Sequence, residues 1–249
     1  MIWFRCAQTR PWASMRLICF PHAGGSAVFY RSWAKALTPA IEVHAVQYPG
    51  RADRIRDPFI TDGRQLARLV AGALSPLLDR PVVLFGHSMG AVLAYEVARV
   101  LENQGNTPAH LFVSGARPAH QRGEPEGNAG KDDDALVAEM VKLGGSDAEV
   151  LADPEMRELI LPYVRNDFAL VESYTYKPAE PFTTPLSTPV TAMVGDADPH
   201  VTVAQATGWG ELTSGAFTIN EFAGDHFYLV PQQAQVVSEI LRQLNVPVS

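Results

Sequence analysis

Cysteine is scarce in this sequence, with only Cys6 and Cys19 among 249 residues. Two cysteines cannot form a disulfide framework, and their spacing matches neither a CxxC nor a Cys/His zinc motif. HExxH and Walker A motifs are also missing, and Gly208-Trp209-Gly210 lacks the third glycine and the preceding strand of a dinucleotide-binding loop. These absences favour a protein of the reducing cytoplasm that uses no metal.

The sequence also has no long apolar run. Its longest apolar stretches, 82–85 and 89–95, are far shorter than the ~18 residues that a membrane helix requires. The N-terminus carries Arg5, Arg10 and Arg16 but lacks the apolar segment of a secretory signal. We therefore expect neither a membrane span nor export.

Positive charge is in deficit: 20 Lys and Arg stand against 27 Asp and Glu, for a net charge of −7. Such a chain is a poor candidate for binding nucleic acid, because that affinity depends on neutralising phosphates with Lys and Arg. The charge is unevenly distributed. Residues 1–68 carry ten basic and four acidic residues (+6), which leaves ten basic and 23 acidic residues (−13) for 69–249.

The sequence does have enough apolar material for one sizeable core. It is 47% hydrophobic, and at this length we expect a single domain over residues 1–249. Short apolar runs that end at turn residues predict strands. These strands are Leu17–Phe20, Val43–Gln47, Val82–Phe85, Leu111–Ser114, Val190–Val194 and Phe217–Phe222.

Helical patterns separate most of these strands. Apolar residues at helical spacing predict helices at about 26–37, 62–78, 90–101 and 231–244. Because strands alternate with helices, we predict an α/β fold with a mostly parallel, twisted sheet and helices on both faces.

One long segment interrupts the alternation, since about 75 residues without a good strand separate Ser114 from Val190. Helical patterns fill part of it, and one of them, 156–174, is interrupted at Pro162. An insertion above a parallel sheet is usually a lid over a site, and we place this one at about 117–185. The alternative is a helical excursion that only pads the core. Seven apolar residues could line a lid or belong to ordinary core: Met140, Leu143, Met156, Leu159, Ile160, Tyr163 and Phe168.

The segment Gly86-His87-Ser88-Met89-Gly90 lies between a predicted strand and a predicted helix. Strand, G-x-S-x-G and helix is the arrangement of a nucleophile elbow. Its tight turn presents the serine hydroxyl above the sheet at a helix N-terminus, where the helix dipole favours an anion. Ser88 is therefore the predicted nucleophile, and a serine in a purely structural turn is the alternative.

A serine hydroxyl needs a general base, and the chain has seven histidines. In folds with this elbow the chain order is nucleophile, acid and histidine. His226 follows the last predicted strand and precedes the last predicted helix, so it is the predicted base. His44 and His110 lie in or beside strands and are expected in the core, whereas His87 is expected to pack beside the nucleophile.

The acid that orients this histidine should follow the strand Val190–Val194. The segment Gly195-Asp196-Ala197-Asp198-Pro199 offers two carboxylates there. Asp198, at the turn made by Pro199, is the predicted acid, and Asp196 is the alternative.

Two backbone N–H groups are needed to stabilise an oxyanion. Met89, directly after the nucleophile, should supply one. The loop Phe20-Pro21-His22-Ala23-Gly24-Gly25 should supply the other through Ala23, because its two glycines let the backbone approach closely. The alternative is a glycine-rich turn that merely connects strand and helix.

Five motifs in this order resemble those of type II thioesterases, which are stand-alone α/β-hydrolases of polyketide and nonribosomal peptide assembly lines. The motifs are FPHAGGSA (20–27), YPGRADR (48–54), GHSMGA (86–91), GDADP (195–199) and GDHF (224–227). The resemblance covers residues 3–244. It implies an α/β-hydrolase fold with a helical lid at about 117–185, a triad of Ser88, Asp198 and His226, and Ala23 and Met89 as oxyanion donors.

The resemblance also implies a reaction and a partner. The enzyme would hydrolyse acyl thioesters on the phosphopantetheine arm of acyl or peptidyl carrier proteins, through an acyl-Ser88 intermediate, and so release stalled or aberrant units. Phosphopantetheine then belongs to the partner, so we expect no cofactor, no nucleic-acid or membrane partner, and a monomer. The alternatives are a general carboxylesterase or acyl-CoA thioesterase, a catalytically silent binding protein, and a cyclising enzyme.

Carrier domains are typically acidic, so the basic N-terminal part of this chain could attract them. Arg51, Arg54 and Arg56 follow the second predicted strand near the expected active-site edge. They are candidates to meet the acidic surface of a carrier. Solvated arginines with local ion pairs to Asp53 and Asp57 are the alternative.

Overall fold

The computed structural model describes residues 2–121, 123, 127–143, 148–177 and 185–247. The strands are β1 (Phe4–Arg5), β2 (Met15–Phe20), β3 (Ile41–Val46), β4 (Val82–His87), β5 (His110–Ser114), β6 (Val190–Gly195) and β7 (Phe217–Phe222). The helices are α1 (Trp33–Ala36), α2 (Gly63–Leu74), α3 (Met89–Asn103), α4 (Asp133–Leu143), α5 (Ala148–Ala152), α6 (Pro154–Ser173), α7 (Val203–Ala206) and α8 (Gln233–Gln243).

These strands form one sheet in the order β1-β3-β2-β4-β5-β6-β7. β1 pairs antiparallel with β3, and every other pair is parallel. The predicted mostly parallel α/β sheet is therefore confirmed. β1 was not predicted, because a strand of two residues leaves no apolar run in the sequence.

Alternate residues of a strand face opposite sides of the sheet. From β2, Leu17 and Cys19 pack in the cluster that includes α1 and α8, whereas Ile18 and Phe20 pack in the cluster that includes α2 and α3. Helices thus cover both faces, as predicted. Within the described part of the chain, none of the helices is long and apolar enough to cross a membrane.

The helices depart further from the sequence patterns than the strands do. The predicted helix 26–37 is a 3₁₀ turn, Ala27–Tyr30, followed by the four-residue α1. The predicted helix 62–78 ends as α2 at Leu74 and continues as a 3₁₀ turn that contains Pro76. Proline cannot donate the α-helical hydrogen bond at that position, so the regular helix stops there.

The insertion between β5 and β6 contains α4, α5 and α6. The predicted interruption at Pro162 is wrong, because α6 runs through this residue. Pro162 and Glu158 are both exposed, so the carbonyl group that loses its hydrogen bond lies on the solvent side of the helix. Parts of the predicted insertion lie outside the described residues, namely 122, 124–126, 144–147 and 178–184.

The first turn of α3 lies against the main chains of β2 and β4. A Cβ atom on Gly90 would lie 2.0 Å from the carbonyl oxygen of Phe20, and one on Gly86 would lie 2.1 Å from the carbonyl oxygen of Gly90. Both distances are far inside van der Waals contact. The helix can approach the sheet this closely only with glycine at both positions, and the approach fixes the residue between them.

We expect Gly90→Ala to lower the free energy of unfolding by about 3 kcal/mol or more, because the added methyl group would force two main chains apart. Gly72→Ala, on an exposed turn of α2, is the matched control. No described atom lies within 4 Å of the added Cβ there, so the better helix propensity of alanine should raise stability by about 0.5–1 kcal/mol. Urea unfolding followed by circular dichroism measures both. A Gly90→Ala protein as stable as the parent would contradict the packing described.

Candidate active site

Ser88 occupies the tight turn between β4 and α3. Its backbone has φ 55° and ψ −117°, a conformation that is strained for a residue with a side chain. Its N–H donates to the carbonyl oxygen of Ser114 at the end of β5, at 2.8 Å. Ser88 is half-buried and lines a cavity of about 180 Å³. The turn therefore holds the hydroxyl at the N-terminus of a 15-residue helix, where the helix dipole stabilises negative charge.

His226 and Asp198 meet beyond the ends of β7 and β6. Nδ1 of His226 lies 2.8 Å from Oδ2 of Asp198, and Oδ1 of the same carboxylate accepts the N–H of His200 at 2.8 Å. His226 is 5% exposed and Asp198 is 8% exposed. β6 and β7 are parallel neighbours, so their carboxyl ends bring the two loops together.

The carboxylate of Asp198 is held in its charged form. Burial alone would raise its pKa, but the hydrogen bond and charge of His226, together with the N–H of His200, outweigh burial and lower the pKa below the ordinary value. Asp196 is exposed and accepts the N–H of Gly224 at 2.9 Å. Asp198, the predicted acid, is therefore the carboxylate in contact with the imidazole, and Asp196 was the alternative.

Two backbone segments border the same cavity as Ser88 and His226. Ala23 follows β2, Met89 begins α3, and both line the cavity. The N–H of Met89 belongs to the first turn of α3, where a helix has no acceptor of its own. Gly24 has φ 78°, a left-handed conformation that glycine adopts without strain. The structure thus brings the two predicted oxyanion donors to the cavity that contains the serine.

The ring of His226 has other histidines as neighbours. The ring centroids of His87 and His200 lie 4.9 and 5.2 Å from that of His226. Burial lowers the pKa of His22 to about 3, and the neighbouring His226 and Arg51 act in the same direction. Burial also lowers the pKa of His87 well below its ordinary value. Both rings are therefore neutral near pH 7 and do not repel a charge on His226.

His87 packs beside the nucleophile turn, as expected. Its Nδ1 lies 2.9 Å from Oγ of Ser114, which lies 2.7 Å from the hydroxyl of Tyr228. This buried chain of hydrogen bonds ties β4, β5 and the loop after β7 together. His44 and His110 are buried in strands, also as expected.

The insertion forms one wall of the cavity, through Phe168 and Val171 of α6 together with Glu172 and Tyr174. Of the seven apolar residues weighed as a lid face, Phe168 is the one that lines the cavity among those whose side chains are described. Met140 is instead buried in a cluster within the insertion, and Leu159 is 52% exposed. The side chain of Leu143 lies outside the described residues. For Met140 the alternative, that it belongs to an ordinary packed core, is therefore confirmed.

The arginines predicted to meet a partner have very different environments. Arg51 is 2% exposed and donates to both oxygens of Asp167 at 2.6 Å each. Arg54 is 8% exposed and donates to Asp57 at 2.7 Å, which is the local ion pair considered as the alternative. The prediction is wrong for Arg51 and Arg54, because a buried guanidinium with protein partners cannot meet another protein. Arg56 is exposed.

Asp167 was missed by the sequence reasoning. It lies on α6 between Val164 and Leu170, which are three residues away on either side and are also buried. A carboxylate within an apolar helical stripe is the signal that could have found it, since a buried charge requires a partner.

One cluster away from this cavity has the composition of a metal site. Among the described residues, Cys6, Glu42 and His44 bring possible ligand atoms within 4.8 Å of one another. However, Glu42 already accepts hydrogen bonds from the Arg10 backbone and the Arg16 side chain and lies 2.8 Å from Nε2 of His44. The carboxylate of Glu42 is thus already occupied by protein hydrogen-bond donors, which argues against its binding a metal ion.

The cavity brings together a serine hydroxyl, an imidazole paired with a carboxylate, and two backbone segments with N–H groups. This combination supplies a nucleophile, a base with an orienting acid, and donors for an oxyanion, which are the parts required for acyl transfer.

Comparison with known proteins also indicates a thioesterase. A family model for the thioesterase domain matches residues 15–244. The probable cadicidin biosynthesis thioesterase of Streptomyces griseus is 41% identical over 98% of this chain and 66% of that protein, just under two thirds of its length. Thioesterase PikA5 of Streptomyces venezuelae is 37% identical over 98% of this chain and 86% of that protein.

A solved structure shows the same fold. The type II thioesterase BorB from the borrelidin biosynthetic cluster superposes with a TM-score of 0.90 at 39% identity, over 98% of both chains. The architecture described above is accordingly the α/β-hydrolase fold. The chain belongs to the thioesterase family and is an acyl-thioester hydrolase.

Proposed function

We propose that this thioesterase hydrolyses acyl groups from the phosphopantetheine arm of acyl or peptidyl carrier proteins. It would thereby release stalled or aberrant units during polyketide or nonribosomal peptide synthesis. The observation that carries the proposal is the convergence of Ser88, the His226–Asp198 pair, Ala23 and Met89 on one cavity. The pathway is supported by the similar proteins named above, which are assigned to borrelidin and cadicidin biosynthesis.

In the proposed acylation, Oγ of Ser88 attacks the carbonyl carbon of the thioester while His226 accepts the hydroxyl proton. The new carbon–oxygen bond converts the carbonyl oxygen to an oxyanion. The N–H groups of Ala23 and Met89 would stabilise this charge by on the order of 3 kcal/mol each. Asp198 would hold the imidazole in orientation and stabilise its cation.

Collapse of this intermediate breaks the carbon–sulfur bond, and the phosphopantetheine thiolate leaves and takes the proton from His226. Water, deprotonated by His226, then attacks the acyl-Ser88 ester, and the free acid departs as Ser88 regains its proton. Protein groups and water supply every part of these steps, so the proposal includes no metal and no cofactor of the enzyme. A single chain supplies every residue named, so a monomer suffices, and we propose that it acts in the cytoplasm.

The helices of the insertion would act as the lid of this site. Support comes from Phe168 and Val171 of α6, whose side chains form part of the cavity wall. A wall made by a separate set of helices can exclude water from the acyl-enzyme while the sheet holds the reacting groups.

A general carboxylesterase or an acyl-CoA thioesterase would use the same reacting groups. What separates these functions is the part of the substrate beyond the thioester, because only the carrier offers a protein surface. The comparison of substrates described below distinguishes them.

We expect Ser88→Ala to abolish turnover with unchanged circular dichroism, because the hydroxyl forms the acyl-enzyme. Asp198→Asn should lower kcat by on the order of 10³–10⁴-fold, since an amide cannot hold the imidazole in the required tautomer or stabilise its cation. Asp196→Asn is the matched control, because its Oδ1 can still accept the N–H of Gly224. It should change kcat by less than about tenfold. If Asp196→Asn is the more damaging change, the assignment of the acid is wrong.

We expect kcat/KM for a butyryl group on a holo acyl carrier domain to exceed that for butyryl-CoA by about tenfold or more. The carrier adds contacts to the protein surface that CoA does not make. Hydrolysis is measured as free thiol released, with heat-inactivated enzyme and Ser88→Ala as controls. Comparable values for the two substrates would favour the acyl-CoA alternative, and no turnover of any loaded carrier would refute the proposal.

Arg56 is the one arginine of the predicted docking set that faces solvent. It follows the 3₁₀ turn Ala52–Arg54 after β3. Because β3 and β4 run in the same direction, Arg56 and Ser88 both lie beyond the carboxyl ends of the parallel strands. We propose that it contributes to the attraction of an acidic carrier.

We expect Arg56→Glu to lower kcat/KM for the loaded carrier about three- to tenfold at low ionic strength, and the loss should shrink at high salt because exposed charges are screened. Arg68→Glu, an equal charge change at an exposed position of α2, is the control and should have a smaller effect. Turnover of butyryl-N-acetylcysteamine, which has no carrier surface, should stay unchanged in both variants. An unaltered salt dependence in Arg56→Glu would exclude this residue from docking.

A further inference from the structure

We propose that Arg51 and Asp167 are a positioning pair that holds the oxyanion loop in its catalytic conformation and ties that loop to α6. Neither side chain lines the cavity wall described above, so the pair would act through the backbone of the loop. The inference rests on the proposed function, because it takes the N–H of Ala23 as an oxyanion donor.

The pair is a buried ion pair with two-pronged geometry. Nη1 and Nη2 of Arg51 lie 2.6 Å from Oδ2 and Oδ1 of Asp167, and each residue is 2% exposed. The guanidinium also lies over the ring of Tyr163, at 4.6 Å from its centroid. A fork-shaped contact of this kind fixes orientation as well as distance. Its contribution to stability is a weaker reason for its presence, because burying two charges costs about as much as their attraction returns.

Both members of the pair hold the loop directly after Ala23. Oδ2 of Asp167 accepts the N–H of Gly24 at 2.8 Å, and Nη1 of Arg51 donates to the carbonyl oxygen of Gly25 at 2.9 Å. Two successive residues are therefore fixed through their main-chain atoms. Because Gly24 donates to Asp167, its N–H is occupied and cannot serve an oxyanion, whereas Ala23, the residue before it, borders the cavity.

The same contacts connect the loop to the insertion. Asp167 lies on α6, and its neighbour Phe168 lines the cavity. Val164, one turn earlier on α6, packs so closely on the loop that a Cβ on Gly24 would lie 3.2 Å from its Cγ2. A shift of α6 would therefore move the backbone next to Ala23 as well as the cavity wall.

This geometry predicts a specific loss when the pair is broken. Misplacing a catalytic donor by about 1 Å can cost on the order of 10²-fold in rate, whereas binding of the ground state changes little. A pair that only stabilised the fold would lower the melting temperature and leave the chemistry of the folded enzyme intact.

The experiment compares Asp167→Asn with Asp133→Asn. Asp133 also pairs with a residue of α6, Arg165, at 2.8 Å, but it is exposed and lies outside the oxyanion loop. Each variant is assayed with butyryl-N-acetylcysteamine at a temperature well below its melting transition. Two inhibitors are titrated: a butyl trifluoromethyl ketone, which forms a tetrahedral adduct with serine, and the unreactive thioether S-butyl-N-acetylcysteamine.

In Asp167→Asn the amide oxygen can replace Oδ2, but the NH2 group then faces Nη2 of Arg51, so the two-pronged contact is lost. We expect kcat to fall about 10–100-fold, with a similar loss of affinity for the trifluoromethyl ketone. KM and the affinity for the thioether should change less than about threefold. Asp133→Asn should match the parent in all four quantities. A lower melting temperature for Asp167→Asn with parental kcat and ketone affinity would overturn the inference.

A double variant, Arg51→Met with Asp167→Leu, provides a second test. It replaces the ion pair by apolar side chains, which often keeps or raises stability, but removes the acceptor of the Gly24 N–H. We expect a folded protein in which kcat and ketone affinity stay low. Recovery of parental kcat in this variant would show that the pair serves stability alone. If the parent enzyme itself hydrolyses no acyl thioester, the proposed function fails first, which distinguishes that failure from the failure of the positioning role.

Discussion

Main-chain contact at the start of α3 is the constraint on which this site depends. Gly86 and Gly90 leave no space for a side chain against β2 and the first turn of α3, so the turn between them is tight. The positive φ of Ser88 costs on the order of 1–3 kcal/mol, and the surrounding sheet holds it in place through the hydrogen bond to Ser114. The position of the Ser88 hydroxyl at the cavity is thus a product of close packing rather than of local sequence preference alone.

The parts of the site that are determined by residues close to them in the sequence could be predicted. Ser88, Met89 and Ala23 each lie in a short segment whose glycines and flanking strand determine its backbone. His226 could be chosen among seven histidines by its place after the last strand. Asp198 was predicted over Asp196 from its place at the turn made by Pro199. Two residues of one turn differ mainly in the direction of their side chains, so it is the structure that shows which of them contacts His226. That residues 1–249 form one domain stays a prediction.

Ion pairs between residues that are far apart in the sequence could not be predicted from local patterns. Its place in an arginine-rich loop makes Arg51 a candidate for docking, yet its partner is a carboxylate 116 positions later in the chain. The sequence shows that a charge is present but not what compensates it. The same reason explains the error at Arg54, whose guanidinium lies over the ring of Trp3, at 4.3 Å from its centroid. It also explains the error at Pro162, since tolerance of proline within α6 depends on which side of the helix faces water.

The buried histidines near His226 make the stability of the fold depend on pH. His22 has a pKa of about 3 in the folded chain, whereas an unfolded histidine titrates near 6.5. Between these pH values the unfolded chain binds a proton at His22 that the folded chain excludes. The contribution of His22 to the free energy of unfolding is therefore fully present above about pH 6.5 and is lost as the pH falls. The loss approaches about 1.4 kcal/mol per pH unit for each such histidine, and His87 acts in the same direction. The packing that keeps His22 and His87 neutral near His226 therefore also sets an acid limit on the stability of the fold.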